Sequence, residues 1–481
     1  MTSSTTAGTT TLDDDAARHL AAAADAATEL QRTLSGTVHR PGDPGYEAAL
    51  GGFNLALVHR PGLVVQAASP ADVALALRSA DRHGLGVGVR STGHSAAPTG
   101  PADVLLDTSQ MNRLEIDPET RTATIGAGVR WRAVLDAAAP YGLGGLCGSS
   151  PDVGVVGYTL GGGLGPLART FGFAADHVRS LDVVTPAGDV VTASPTRHRD
   201  LFWALRGGGG AFGVVTAMTF DLFELAVVRA GALWFDVADA PAVLHRWRAL
   251  VGSLPESVST SVVRIDLLPL PHLPEPLRGR AVLVVRYVRH GALDAPDPLV
   301  DELRRTATPI LDTVGDLPYA RIGEVHADPA EPMPLVERGA TLHSLPEQAV
   351  DAFLAATPAG SPVLLAELRL LGGAATRPPR VSNAVGGRDA AYSLFVGAVP
   401  APGGPSDVED HLRRVVDAMT PWATGASLLN FAGPRDPVSA ERVRSSFGAA
   451  TYARLVALRR RVDPHGVLDP TARWSVARGP A

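Results

Sequence analysis

The sequence predicts an α+β protein whose two halves are built differently. Three observations carry this: a strand–helix–strand unit over 63–90, a glycine-dense stretch over 145–165, and a change of style after about residue 225. Beyond that point apolar strand runs alternate with amphipathic helices and Pro-rich turns, the order expected of a sheet with helices on one face. At 481 residues the chain exceeds one compact core, so two domains or one large composite domain are expected.

Residues 1–12 are Thr/Ser-rich and expected to be disordered. Residues 13–32 open with acids and continue in Ala and Leu, a helix pattern. LVVQAA (63–68) reads as a strand. The helix after it has Ser69 as N-cap, Pro70 at its first position and Gly84 as C-cap. LGVGVR then returns as a strand and delivers Arg90 to the turn Ser91-Thr92-Gly93-His94-Ser95. A glycine turn at a strand's carboxyl end exposes backbone N–H groups where α/β sheets bind ligands. Taken alone, His94 reads as a solvated or capping side chain.

VLLDTS and TATIGAGV are further strands, and WRAVLDAAAPYG is a helix closed by Gly142. The run 145–165 (GLCGSSPDVGVVGYTLGGGLG) is expected to be irregular. Its interleaved Val, Leu and Tyr favour a ligand cradle over a flexible linker. LDVVTPAGDVVTAS is a hairpin about Pro186-Ala187-Gly188-Asp189, Asp200 opens a short helix ending in Gly207 to Gly210, and AFGVVTAMTF is a strand. A Walker-type phosphate loop is excluded because the chain has no Lys.

In the second half the strands are ALWFDV, SVVRIDLLPL, AVLVVRYV, VLLAELRLL and AYSLFVGAV. The helices are APAVLHRWRALVG and DPLVDELRRTA. Residues 426–481 read as a return segment, SLLNFAG followed by the helix YARLVALRRRV, stopped by Asp463-Pro464.

Composition narrows the function classes. Apolar residues make up 45% of the chain with mean hydropathy near zero, the profile of a soluble globular protein. A net charge of −6 without an Arg-dense run argues against nucleic acid as a partner. The single cysteine, Cys147, excludes an intramolecular disulfide and any multi-thiolate metal site, and the 14 His are scattered, so no metal is expected. Neither a secretory leader, a twin arginine nor a membrane span is apparent, and the expectation is a cytoplasmic protein.

Together these motifs resemble the bacterial type of berberine-bridge-enzyme-like FAD-linked oxidoreductase, in the vanillyl-alcohol-oxidase superfamily with its PCMH-type FAD-binding domain. VRSTGHS is similar to that family's R-S-G-G-H-S motif, with Thr92 for a Gly. SPDVGVVGYTLGGGLG resembles its second flavin-cradling motif, and DLFWALRGGGGAFGVVT its third. NFAG and RLVALRRRVDPHGVL resemble its terminal segment.

The resemblance implies a two-subdomain PCMH-type FAD-binding domain over 13–225 and an antiparallel-sheet substrate domain with helices on one face over 226–425. It further implies a C-terminal segment, 426–481, packing back on the FAD domain. It implies FAD held by Arg90, Ser91, Thr92, Gly93, His94 and Ser95 of the first motif. From the second come Ser150, Asp152, Val153, Gly154, Gly157, Tyr158, Gly162 and Gly163, from the third Gly213, Val214 and Val215, and Asn430 from the C-terminal segment. His94 stands where the family bonds covalently to the flavin 8α carbon, a step that suits a neutral imidazole.

Departures shape the rest. Ser150 occupies the position of a second, cysteine attachment, and Cys147 lies three residues upstream, so a single covalent link is expected. Leu428 replaces the Tyr that serves as base in relatives oxidising alcohols. Tyr158 replaces a His near the flavin pyrimidine ring and cannot carry its charge. Val153 resembles the residue that admits dioxygen, which favours an oxidase. With Leu428 in place of the phenol, the catalytic candidates move to the substrate domain. Glu367 and Arg369 share one strand face, Tyr392 in the run RDAAYSLFV is a second candidate, and Tyr158 completes the set.

The expected reaction is hydride transfer from a small organic substrate to flavin N5, then to O2, in the tailoring of secondary metabolites. The alternative is a flavin-retaining cyclase or binding protein without net redox turnover. The other expected partner is at most a second copy, as monomer or homodimer, with no membrane.

Overall fold

The computed structural model describes residues 9–96, 98–271, 273–400, 406–433 and 444–468. Two main sheets, with a two-stranded ladder of Leu143–Gly144 and Phe223–Glu224, form the first half. Leu63–Gln66, Asp103–Asp107 and Gly86–Arg90 run parallel, with Thr37–His39 added antiparallel at the edge. Leu114–Asp117, Thr122–Gly126, Val214–Asp221, Val178–Val184 and Val190–Ala193 pair antiparallel in that order.

The helix Pro70–Arg82 starts as its sequence requires, with Ser69 Oγ accepting the Asp72 N–H at 3.2 Å and Pro70 inside the first turn. Gly84 has φ +67°, just after the C-cap His83 and two residues beyond the helix end. Val73, Ala76, Leu77 and Ala80 turn inward against Leu63, Val65, Val87 and Leu106, one stretch of a core that runs through both sheets.

The second half is one antiparallel sheet. Its main path orders Leu311–Asp312, Val227–Asp236, Ala281–Arg289, Val258–Asp266, Leu365–Leu370, Tyr392–Ala398 and Val336–Leu342. Helices Ala240–Val251, Pro298–Thr306, Glu347–Ala356 and Ser406–Ala418 cover one face, where Trp247, Leu299, Phe353 and Leu412 close a separate core over Leu283, Leu368 and Leu394. The opposite face looks toward the first half.

The final described helix, Gly448–Val462, returns to the first half. Leu455 and Leu458 join its core, Arg454 and Arg461 pair with Asp200, and the Val87 N–H donates to the Val467 carbonyl at 2.7 Å.

Two expectations need correction, and three elements had none. The first helix is Thr9–Leu30, so residues 9–12 are helical and not disordered, while 1–8 lie outside the described residues. Residues 145–165 contain a helix, Val155–Leu160, because Gly157 is the one glycine within a short run whose other members bury a flank. The strand Val336–Leu342 and the helices Glu347–Ala356 and Ser406–Ala418 carry no expectation at all. In the strand, Glu337, Arg338 and Gly339 interrupt the apolar pattern that marks its neighbours.

Candidate functional site

The first motif is held rigidly from below. Arg90 Nη2 lies 2.6 Å from the Asp107 carboxylate and 2.7 Å from the Ala49 carbonyl, and Nη1 donates to the Leu50 carbonyl at 2.6 Å. Gly93 has φ +75°, and a Cβ there would stand 2.8 Å from Gly52 Cα, so only glycine lets residues 51–54 lie on the turn. The Phe53 N–H donates to the Thr92 carbonyl at 2.9 Å, and the Phe53 ring stacks on His94 at 4.0 Å and 7°.

This leaves His94 with one side fixed and one side free. Its Nδ1 is 2.9 Å from Thr92 Oγ1, whereas Nε2 is buried with no partner among the described residues. Burial, helped by the charge of Arg130, pulls its pKa down to about 4, so the ring is neutral near pH 7.

The second motif is the hub on which the others converge. The Gly154 N–H donates to Thr92 Oγ1 at 3.4 Å, joining it to the first motif. The Gly207 and Gly209 N–H groups both donate to the Leu160 carbonyl, at 3.0 and 2.9 Å, joining it to the third. Asn430 Nδ2 donates to the Tyr158 carbonyl at 2.8 Å, and a Cβ on Gly161 would lie 1.7 Å from Asn430 Oδ1. A Cβ on Gly157, by contrast, would meet nothing within 4 Å.

Above this hub stands the free face of the large sheet. Strand alternation puts Glu367 and Arg369 on that face, with Arg286 from the strand Ala281–Arg289. Arg286 Nη1 lies 2.9 Å from Glu367 Oε1, and Arg369 Nη2 lies 3.1 Å from Oε2. His326 adds a third nitrogen-bearing side chain, its Nε2 3.3 Å from Arg369 Nη2. Burial alone would raise the Glu367 pKa, but Arg369 and Arg286 outweigh it and hold the carboxyl far below its usual range. Burial, then the same two arginines, holds His326 neutral. Arg369 also lies 5.6 Å over the Phe431 ring, next to Asn430.

Most expected site residues meet around the hub, with two corrections. Arg90 Nη1 and Nη2 are committed to Asp107 and the carbonyls of 49 and 50, so these ends support the turn and not a ligand, while Nε is buried without a partner among the described residues. Tyr392 pairs with Leu370 on the helix-covered side, its ring 6.2 Å from Trp247, so it lies on the wrong face for the base expected of it.

The remaining residues are placed less decisively. Ser91 Oγ is buried beside Gly154, and Ser95 is exposed. Asp152 is clasped by Arg132 at 3.1 and 3.0 Å, and Ser150 Oγ accepts the Asp152 N–H. The Val153 carbonyl takes the Trp131 N–H. Gly162 and Gly163 have φ +108° and +75°, and Gly163 approaches the Tyr158 ring. The Tyr158 hydroxyl is buried without a partner, which raises its pKa. Gly213 approaches Val183, while the Val214 and Val215 side chains sit in the core, leaving only their backbone for a ligand.

Leu428 is buried with Leu164, Phe173 and Leu371, so no phenol stands there. Cys147 is sealed, and burial pushes its thiol up to about 12, which removes the thiolate a second attachment would need. Sequence reasoning missed Arg286, His326 and Ser259. An arginine inside the apolar run AVLVVRYV was a usable signal; His326, after the 3-10 helix Tyr319–Val325, offered none.

Residues 61–194 match the FAD binding domain family. The (R)-6-hydroxynicotine oxidase of Paenarthrobacter nicotinovorans is 29% identical over 454 residues, 90% of this chain and 95% of that protein. Its sequence likeness is thus to FAD-dependent oxidoreductases, with an FAD binding domain over 61–194. Its fold matches Physcomitrella patens BBE-like 1 with TM-score 0.79 at 21% identity, covering 92% of this chain and 98% of that one. It also matches the xylooligosaccharide oxidase from Myceliophthora thermophila in complex with xylobiose, with TM-score 0.80 at 21% identity over 96% and 100% of the two chains. Among the described residues, no helix of this oxidoreductase is long and apolar enough to cross a membrane, and no group of His, Cys, Asp and Glu is arranged to hold a metal.

Proposed function

We propose that this oxidoreductase takes hydride from a small organic substrate, with FAD tethered through His94 and dioxygen as the final acceptor. The observation that carries the tether is His94 itself: a neutral imidazole, clamped by Phe53 and Thr92, with a buried Nε2 that has no partner among the described residues. The glycines of the hub fit the cofactor too, since Gly157 leaves an open face where a backbone can be approached closely. Bound FAD would supply the two-electron acceptor.

The chain's residues divide the remaining work. Ser91, Gly93, Gly154, Gly162, Gly163 and Asn430 would hold the cofactor, and Val153 beside them favours access of dioxygen. The sheet face bearing Glu367, Arg369 and Arg286 would close over the substrate and exclude water. Glu367, held as a carboxylate between two arginines, orients charge there and is a poor proton acceptor.

Acid denaturation of purified protein tests the tether. Yellow colour should stay with wild-type polypeptide and leave His94→Ala. Free release from wild type would refute the link, and retention in His94→Ala would move it elsewhere.

A further inference from the structure

A narrow cleft lies between the end of the second glycine segment and the free sheet face, lined by Leu164, Gly165, Ser259, Arg286, His326 and Arg369 among others. Four of its polar atoms are buried without a partner among the described residues: Arg286 Nε, Arg369 Nη1, His326 Nδ1 and Ser259 Oγ. Their residues are not spare surface. Arg286, Arg369 and His326 are 8%, 9% and 7% exposed.

All four atoms have a proton to give. A guanidinium has only donors, so in the Arg369 Nη2 to His326 Nε2 contact of 3.3 Å the imidazole nitrogen must accept. A neutral ring that accepts at Nε2 carries its hydrogen on Nδ1. That nitrogen is therefore a donor, as are Arg286 Nε, Arg369 Nη1 and the Ser259 hydroxyl. Charge agrees with this: two guanidiniums face one carboxylate, Glu367, and His326 is neutral. Arg169, on the same cleft, adds another buried cation met by the carbonyls of Val258, Leu371 and Leu254. Buried donors with surplus positive charge are costly to leave unmatched, and a bound anion matches both at once.

We infer that this cleft is an anion receptor that takes the carboxylate of the oxidoreductase's substrate. Arg286, Arg369, Ser259 and His326 donate to that carboxylate, and Glu367 holds the two guanidiniums apart in place. The substrate is thus an organic acid, bound as a monoanion. This rests on the oxidase reading for the word substrate, and on the cleft alone for the anion.

The test uses purified flavin-loaded protein, titrated calorimetrically with benzoate and benzamide and with acetate and acetamide. Each carboxylate should bind at least about tenfold more tightly than its amide, the worth of one charge-assisted hydrogen bond. Ser259→Ala and Arg369→Gln should weaken benzoate and leave benzamide unmoved. Glu367→Gln, which raises the net positive charge, should tighten benzoate.

Equal affinities for acid and amide would overturn the assignment, as would benzoate binding indifferent to these substitutions. So would benzoate binding seen only after flavin is removed, which would give the cluster to the cofactor. Should Arg369→Gln fail to fold, Ser259→Ala and Glu367→Gln carry the test with opposite signs. Acid-over-amide discrimination in a protein that never holds flavin would uphold the receptor and refute the oxidase reading.

Discussion

Arg369 and Glu367 stand two residues apart on one strand face, with Nη2 of the arginine 3.1 and 3.3 Å from the two carboxylate oxygens. Arg286 reaches the same carboxylate from an adjacent part of the sheet at 2.9 Å. Glu367 therefore has two cationic neighbours, while Arg369 has a single carboxylate and shares it.

That asymmetry sets an order of stabilities. Removing the carboxylate in Glu367→Ala leaves two buried guanidiniums facing each other and should cost about 3–5 kcal/mol. Removing Arg369 leaves Glu367 paired with Arg286 and should cost less, about 1–3 kcal/mol. Urea unfolding of both variants and of the double variant measures this, and the double should cost less than the sum.

The same pair predicts a pH response. A carboxyl whose folded pKa is depressed below its ordinary 4.5 contributes stability that is present above pH about 4.5 and is lost as pH falls below it. Between pH 5 and 9 Glu367 does not titrate. The kcat/KM profiles of wild type and Glu367→Gln should then have the same shape over that range. An acid limb present in wild type and missing in the variant would identify Glu367 as a titrating base.

Cys147 should be silent. Buried, with its thiol pushed up to about 12, it should not react with a water-soluble disulfide reagent in native protein and should react once on unfolding. Cys147→Ala should keep its flavin through acid denaturation as wild type does. Loss of colour in that variant alone would point to a sulfur link.

Two glycines of the hub should separate stability from cofactor retention. Gly163 has φ +75°, and its Cβ would lie 2.7 Å from the Tyr158 ring and 2.8 Å from Ala174 Cβ. Gly163→Ala should therefore lower stability by about 1–3 kcal/mol and flavin content with it. Gly157→Ala meets no protein atom within 4 Å and sits inside a helix, so its Tm should hold or rise slightly while its flavin content drops. Thermal unfolding and the protein-to-flavin absorbance ratio read the two effects apart.

Much of this was legible in the chain where local chemistry decides structure. Ser69, Pro70 and Gly84 bound their helix as capping rules require. The three glycine motifs were visible as motifs, and their meeting at residues 154–163 is a finding of the structure. What failed depends on partners distant in sequence. Alternation places Glu367 and Arg369 together, but it does not say which parity faces the covering helices, and Tyr392 falls on their side. Glycine density concealed the helix 155–160, whose formation depends on packing of Val155, Val156 and Leu160 against the core. His326 joins the cluster only through the path of its loop.

The clasp between Asn430 and the Tyr158 carbonyl spans 272 positions of chain. Val87 likewise waits for Val467. During synthesis the glycine hub thus emerges long before the residues that complete it, and the parallel sheet beside it lacks its last neighbour until the chain is nearly finished. Contacts of such sequence separation form late and slowly. A truncated product ending before residue 430 would therefore leave the ribosome without the Asn430 clasp on the Tyr158 carbonyl, its glycine hub open on that side.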